Sequence, residues 1–292
     1  MSHTPESQHW YDRNGQPVYT VKSKDGRDIA PDIRHARKLG LVPGFNAISK
    51  VLSSPALERY KQEQAILAAL TLTRTPGEDD KSFLARVRED SAAHAKQRAE
   101  EGTKVHKAIE QWLRGESFTV EWSKHCKAVI KLLESLPPSF IGDFKTKESL
   151  EGKREKDVFY NEHIMQLAAY RSGFALPFPH VEPITGQKFI CETTFASSQG
   201  YGGRIDVHSL VTHSTSSVVS IAISINEPGK LLHKIWTEEE AQHGLKLFSH
   251  ALAVWKLRNR YESGWTTSTS LTPTRIQVIS SVTNISTGET YE

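Results

Sequence analysis

Cysteine is scarce in this chain: there are two in 292 residues, Cys126 and Cys191, far apart and in no C-x-x-C pair. That excludes a disulfide scaffold, a zinc knuckle and a four-cysteine iron–sulfur cluster. Long apolar runs are missing too. No stretch approaches the roughly 18 consecutive apolar residues of a membrane span, and the first twenty residues lack the charged-then-apolar order of a secretion signal. A cytoplasmic location is the expectation. Neither charge sign dominates: 37 Lys and Arg stand against 34 Asp and Glu, for a net charge of +3. That balance permits nucleic-acid binding without requiring it. No internal repeat has a period that would suggest a solenoid.

What is present suffices for a sizeable core, with 37% hydrophobic residues. Residues 1 to 45 are polar and turn-rich. Pro17 to Val21 reads as strand-like and is followed by Lys24-Asp25-Gly26, as in a small hairpin or an extended arm. From Ala47 to Leu70 apolar residues recur at helical spacing, broken at Ser53-Ser54-Pro55, with Pro55 suited to a first helical position. A loop from Thr75 to Asp80 precedes a long helix beginning near Lys81. In the second half, Phe140 to Lys145 reads as a buried strand and Asn161 to Arg171 as a helix with Ile164, Leu167, Ala168 and Arg171 on one stripe. Lys188 to Phe195 and Arg204 to Leu210 read as strands joined by a turn containing Gly200, Gly202 and Gly203, and Val218 to Ile225 as a further strand. Thr237-Glu238-Glu239-Glu240 offers a capping box for a helix ending near Arg260, with Leu245, Phe248, Leu252 and Trp255 as its apolar face. A Ser- and Thr-rich tail follows from Ser263, with one candidate strand at Ile276 to Val282 and little order expected.

Four short motifs carry chemistry. In Asp143-Phe144-Lys145 the two charged residues are two apart on a strand, so they share a face and point into one pocket. A carboxylate there can hold Mg²⁺ while the ammonium orients or deprotonates an attacking water. A lone D-x-K is common at solvated strand ends; Ile141 and Phe144 beside this one suggest burial, where unpaired charges are costly. Thr103, His106 and Glu110 are spaced three and four apart on a helix whose Val105, Ala108, Ile109 and Trp112 form the apolar stripe, which sets His106 at the core boundary as a candidate ligand. Glu192, and Asp206 after Gly202-Gly203-Arg204-Ile205, supply further carboxylates on strands. Gln166 and Tyr170, one helical turn apart, offer an amide and a phenol for DNA phosphate or for positioning Lys145.

Taken together, a Gly-to-His helix, a D-x-K strand, a Q-x-x-x-Y helix and a G-x-x-D strand resemble the RecB-like nucleases of the PD-(D/E)XK superfamily. The flanks Pro43 to Ile48, Leu57 to Tyr60 and the Trp255 helix are similar to phage-type members. The resemblance implies an α/β fold, a central mixed β-sheet flanked by helices, with an N-terminal arm and helical region over 1–85, a nuclease core over 86–262 and the tail over 263–292. It implies that Asp143, Asp206, His106 and the carbonyl of Phe144 bind Mg²⁺ or Mn²⁺, with Glu192 nearby and Glu110 supporting. It makes Lys145 catalytic beside Asp143 and Asp206, and Thr103, Gln166 and Tyr170 contacts to DNA. The activity implied is exonucleolytic, in phage recombination, replication or repair, in the host cytoplasm, with a recombination or single-strand-binding protein as partner. One departure stands out. The family places the G-x-x-D strand before the D-x-K strand, whereas here Asp143-Phe144-Lys145 and its helix come first. The transposition requires new connections, for which Pro177 to Gly186 and Val211 to Ser217 are the candidates. A DNA-binding or assembly protein that keeps the scaffold without hydrolysis is the alternative.

Overall fold

Caps and β-branched runs set the elements of this chain. The computed structural model describes residues 10–52, 55–116, 120–174, 189–209, 216–262, 282–283 and 290–291. The N-terminal arm forms strands β1 (Trp10–Tyr11), β2 (Pro17–Val18), β3 (Val21–Lys22) and β4 (Asp28–Ile29), helix α1 (Ile33–Leu39), strand β5 (Val42–Pro43) and helix α2 (Phe45–Ser49). The strand expected at 17–21 is split, since β2 pairs with β1 while β3 pairs with β4. Helix α1 had not been anticipated; its signals are Asp32, whose carboxylate accepts from the amides of Arg34 and His35, and Gly40, which ends it at φ 65°.

Pro55 opens α3 (Pro55–Thr71), and Asp79 caps α4 (Asp80–Leu113). At 34 residues α4 runs unbroken across residue 85. Its length is about 51 Å at 1.5 Å per residue. Next come α5 (Ser123–Ser135), also unanticipated, β6 (Phe140–Lys147), α6 (Glu155–Val158) and α7 (Asn161–Phe174). The chain continues through β7 (Phe189–Ser197), β8 (Tyr201–Ser209), β9 (Ser217–Ser224), β10 (Leu231–Trp236) and α8 (Glu238–Asn259). The capping box at α8 forms as its sequence implies: the Glu240 amide donates to the Thr237 hydroxyl and the Thr237 amide to the Glu240 carboxylate. Most of the tail, including the candidate strand up to Ser281, and both candidate connections apart from Ser216 and Ser217 lie outside the described residues; Val282–Thr283 pairs with Thr290–Tyr291.

Five strands make one mixed sheet in the order β10-β9-β6-β8-β7. β6 and β9 are parallel through eight pairs, from Phe140 opposite Ser217 to Lys147 opposite Ser224, and the other neighbours are antiparallel. Both faces of the centre are covered, which explains the nearly continuous apolar run of β9. Val218 and Ala222 pack with residues of α2, α7 and α8, while Val219, Ile221 and Ile223 pack with Val105, Ile109, Val129 and Leu133 of α4 and α5. The chain is thus α/β, a mixed sheet flanked by helices.

Helix α7 is the most enclosed. Nine of its residues are buried, among them Ile164, Leu167, Tyr170 and Arg171, so its apolar contacts extend well beyond the single stripe expected. The close pass of α8 depends on Gly244, where a Cβ would come within 2.9 Å of the Ile164 carbonyl oxygen. Arg171 donates to both carboxylate oxygens of Glu238, at 2.8 and 2.9 Å, and fastens α7 to the first turn of α8.

The arm is tied to the other end of α8. Trp10 packs edge-on against Trp255 and beside Tyr261, the Tyr261 hydroxyl donates to the Leu41 carbonyl, and Arg37 donates to the Asn259 carbonyl. Neighbouring residues on a strand point to opposite sides. With Trp10 held in that aromatic cluster, Tyr11 turns the other way, onto β8.

Candidate active site

The site begins where two strands part. β6 pairs with β9 as far as Lys147 but with β8 only at Ile141–His208 and Gly142–Val207. Beyond Gly142 the Asp206 carboxylate takes over the role of a strand neighbour, accepting the Phe144 amide at 2.7 Å. β8 changes face at the same point. Ile205 packs with the α7–α8 side and Val207 with the α4–α5 side, although residues two apart on a regular strand share a face. The opening between the strands holds two carboxylates, Asp143 at 3% exposure and Asp206 at 8%.

Strand alternation aims Asp143 and Lys145 at α7, and the Lys145 Nζ lies 2.9 Å from Asp143 Oδ2. The same Nζ donates to Gln166 Oε1 at 2.9 Å, and Gln166 Nε2 donates to the Tyr170 oxygen at 3.0 Å. Gln166 therefore positions the lysine, and Tyr170 positions Gln166. Tyr170 is buried and Gln166 half-buried, because α7 lies between sheet and α8. Burial pushes the Asp143 carboxyl up to about 6, against the pull of Lys145, and the neighbouring Asp206 charge adds to the rise. Lys145 sits off the line of a hydrogen bond to Asp143 Oδ2, which leaves that buried oxygen ion-paired but without an aligned donor among the described residues. Burial raises the Tyr170 phenol well above its ordinary range, so it stays protonated.

His106 comes from α4, on the other side of β6, with its ring edge-on to Phe144 at 6.0 Å. The parting of β6 and β8 lets it line the same pocket as Asp143, Phe144, Lys145, Gln166, Tyr170 and Asp206. The other two polar residues of its helix face do not line that pocket. Thr103 is exposed and its hydroxyl donates to the Ala99 carbonyl at 2.8 Å; Glu110 is ion-paired with Arg114 at 2.7 Å. Glu192 lies on β7 between Cys191, paired with Val207, and Thr193, paired with Ile205, which sets it across from Asp206 in the strand register; its side chain lies outside the described ones.

Tyr11, Gly44, Phe45, Asn46 and Arg204 also line the pocket and were not singled out as site residues from sequence. The glycines were the available signal. Gly202 and Gly203 lie inside β8, not in the turn, which is completed at Gly200 with φ 89°. A Cβ on Gly202 would come within 2.6 Å of the Tyr11 ring, and one on Gly203 within 2.5 Å of the Tyr170 ring. Two tyrosines thus press on successive glycines, and Gly44 bridges to Gly202 to bring the arm against β8.

Two buried carboxylates on adjacent strands, an imidazole beside them and one carboxylate oxygen without an aligned donor make an oxygen-rich donor set suited to a hard divalent cation. Among the described residues no three His, Cys, Asp or Glu side chains already converge as a complete group. Among the described residues no helix is long and apolar enough to cross a membrane. No family model, curated protein or solved structure matches this chain.

Proposed function

We propose that the chain is a metal-dependent deoxyribonuclease with a PD-(D/E)XK nuclease-like core of the RecB-like kind. The observation that supports it most is spatial: the D-x-K strand, the Gln166–Tyr170 helix and the Asp206 strand, transposed in sequence, line one pocket with His106. An active site depends on where its groups meet and not on their chain order. Asp143 and Asp206 would hold Mg²⁺ or Mn²⁺, with His106 and the Phe144 carbonyl as further donors. When bound, the cation supplies charge stabilisation at the phosphate and a more acidic water. The protein's own part is then clear. Lys145, fixed by Gln166, orients the attacking water and offsets negative charge on the phosphate; Tyr170 holds Gln166 in register.

Exonucleolytic action on DNA ends, in phage recombination, replication or repair within a host cytoplasm and alongside a recombination or single-strand-binding partner, is the setting this reading carries. The test is incubation of end-labelled single- and double-stranded DNA with Mg²⁺, Mn²⁺ or EDTA. Degradation with either metal and none with EDTA is the expected result. One observation favours a second reading, a DNA-binding or assembly protein without hydrolysis: Lys145 already neutralises Asp143, where a cation would sit. Tight DNA binding with no degradation under any metal supports that reading instead.

A further inference from the structure

β6 carries a second lysine towards its end. Lys147 follows Lys145 by two residues and shares its face, about 6.6 Å further along the strand. That step is of the order of one nucleotide in an extended strand. Lys147 is partly buried, and among the described residues no carboxylate pairs with it; its charged neighbours are Lys145 and Lys153, which repel it. A partly buried ammonium with no carboxylate paired to it among the described residues is suited to meeting an anion. Beside it stands Tyr160, just before α7 and 54% exposed, its ring centroid 5.7 Å from the Lys147 Nζ. The Tyr160 hydroxyl donates to the Asp157 carbonyl at 2.8 Å and its amide to His163 Nδ1 at 3.3 Å, so the ring is held in place.

We propose that Lys147 and Tyr160 form a subsite for the nucleotide next to the scissile phosphate of a single strand, Lys147 meeting its phosphate and Tyr160 stacking on its base. The proposal rests on the nuclease reading above. Stacking on this half-exposed ring needs an unpaired base, so the subsite selects single-stranded DNA or a frayed end over an intact duplex.

The test is anisotropy of a fluorescein-labelled oligothymidylate in EDTA over a salt series, with wild type, Lys147→Gln, Tyr160→Ala, Tyr160→Phe and, as a control in the β3–β4 hairpin outside the pocket lining, Lys24→Gln. Each variant is first checked by thermal unfolding. Tyr160→Ala is expected to weaken binding roughly 5- to 150-fold, the effect of one stacked base at 1–3 kcal/mol, with Tyr160→Phe close to wild type. Lys147→Gln should lower the slope of log affinity against log salt by about 0.7. On an abasic oligomer of equal length the Tyr160→Ala deficit should vanish while that of Lys147→Gln persists. A wild type that cleaves DNA, with Tyr160→Ala and Lys147→Gln binding as it does at an unchanged salt slope, overturns the subsite and leaves the nuclease reading intact. A wild type that neither binds nor cleaves overturns both.

Discussion

The backbone amide of Phe144 donates to the carboxylate of Asp206 across the gap between β6 and β8. Asp206 therefore has two roles, closing the sheet where its ladder stops and presenting a carboxylate beside Asp143. The roles separate by substitution. Asp206→Asn keeps an acceptor for the amide and is expected to fold near wild-type stability while losing cleavage. Asp206→Ala leaves a buried N–H unpaired and should cost about 1–3 kcal/mol as well. Urea unfolding and DNA cleavage measured on both variants check this; equal stability of the two would contradict the structural role.

Gln166 acts through Lys145. Removing it takes away one anchor of an ammonium still paired with Asp143, so Gln166→Ala should lower kcat by about 100-fold, the scale of a misplaced catalytic group, with little change in KM. In a Lys145→Ala background the same substitution should add almost nothing, since residues acting as a unit are not additive. Independent, multiplying losses in the double variant would show that Gln166 serves the substrate directly.

Gly203 is small because the Tyr170 ring lies on it. Gly203→Ala brings a Cβ within 2.5 Å of that ring and 3.0 Å of Phe195, so overpacking of about 1–3 kcal/mol is expected, together with reduced cleavage as Tyr170 is displaced. Gly26→Ala in the arm, where open space surrounds the site but φ is 77°, provides a control for backbone strain alone. It should leave cleavage unchanged.

His163 makes stability depend on pH. Burial holds its imidazole down at about 3, with Lys145 and Lys147 adding to the effect, and its Nδ1 accepts the Tyr160 amide, which requires the neutral ring. In the unfolded chain the group titrates near 6.5. Between those values the unfolded state binds the extra proton, so stability is full above pH 6.5 and falls as pH drops towards 3, by at most about 1.4 kcal/mol per pH unit. Urea unfolding of His163→Gln across pH 7 to 4 should show a shallower decline than wild type. Parallel curves would remove His163 as the cause.

Local geometry was legible in the sequence and long-range geometry was not. The shared face of Asp143 and Lys145 follows from the two-residue strand period, and the starts of α3 and α8 from Pro55 and the Thr237 box. Thr103, His106 and Glu110 share a helix face, yet seven residues span about 10.5 Å along the axis. Of the three, His106, the middle one, lines the pocket. That Tyr170 is buried and Gln166 half-buried is not legible locally, because a single helix cannot show that sheet and α8 will cover it from both sides. Tyr11 reaches the pocket through pairing with residues more than thirty positions away and packing against β8 nearly two hundred away, which no local pattern encodes. β10 was missed because its residues are half-exposed on the sheet edge, with no β-branched run to mark them.

The central claim is that residues out of the usual order meet in one working site. Its most direct measurement is Mg²⁺-dependent cleavage of end-labelled DNA by wild type, Lys145→Ala and Asp143→Asn, with DNA affinity and unfolding recorded for each. The account predicts cleavage by wild type alone, while both variants fold and still bind DNA. Undiminished cleavage by the two variants, or a well-folded wild type that binds DNA and never cuts it, would contradict it.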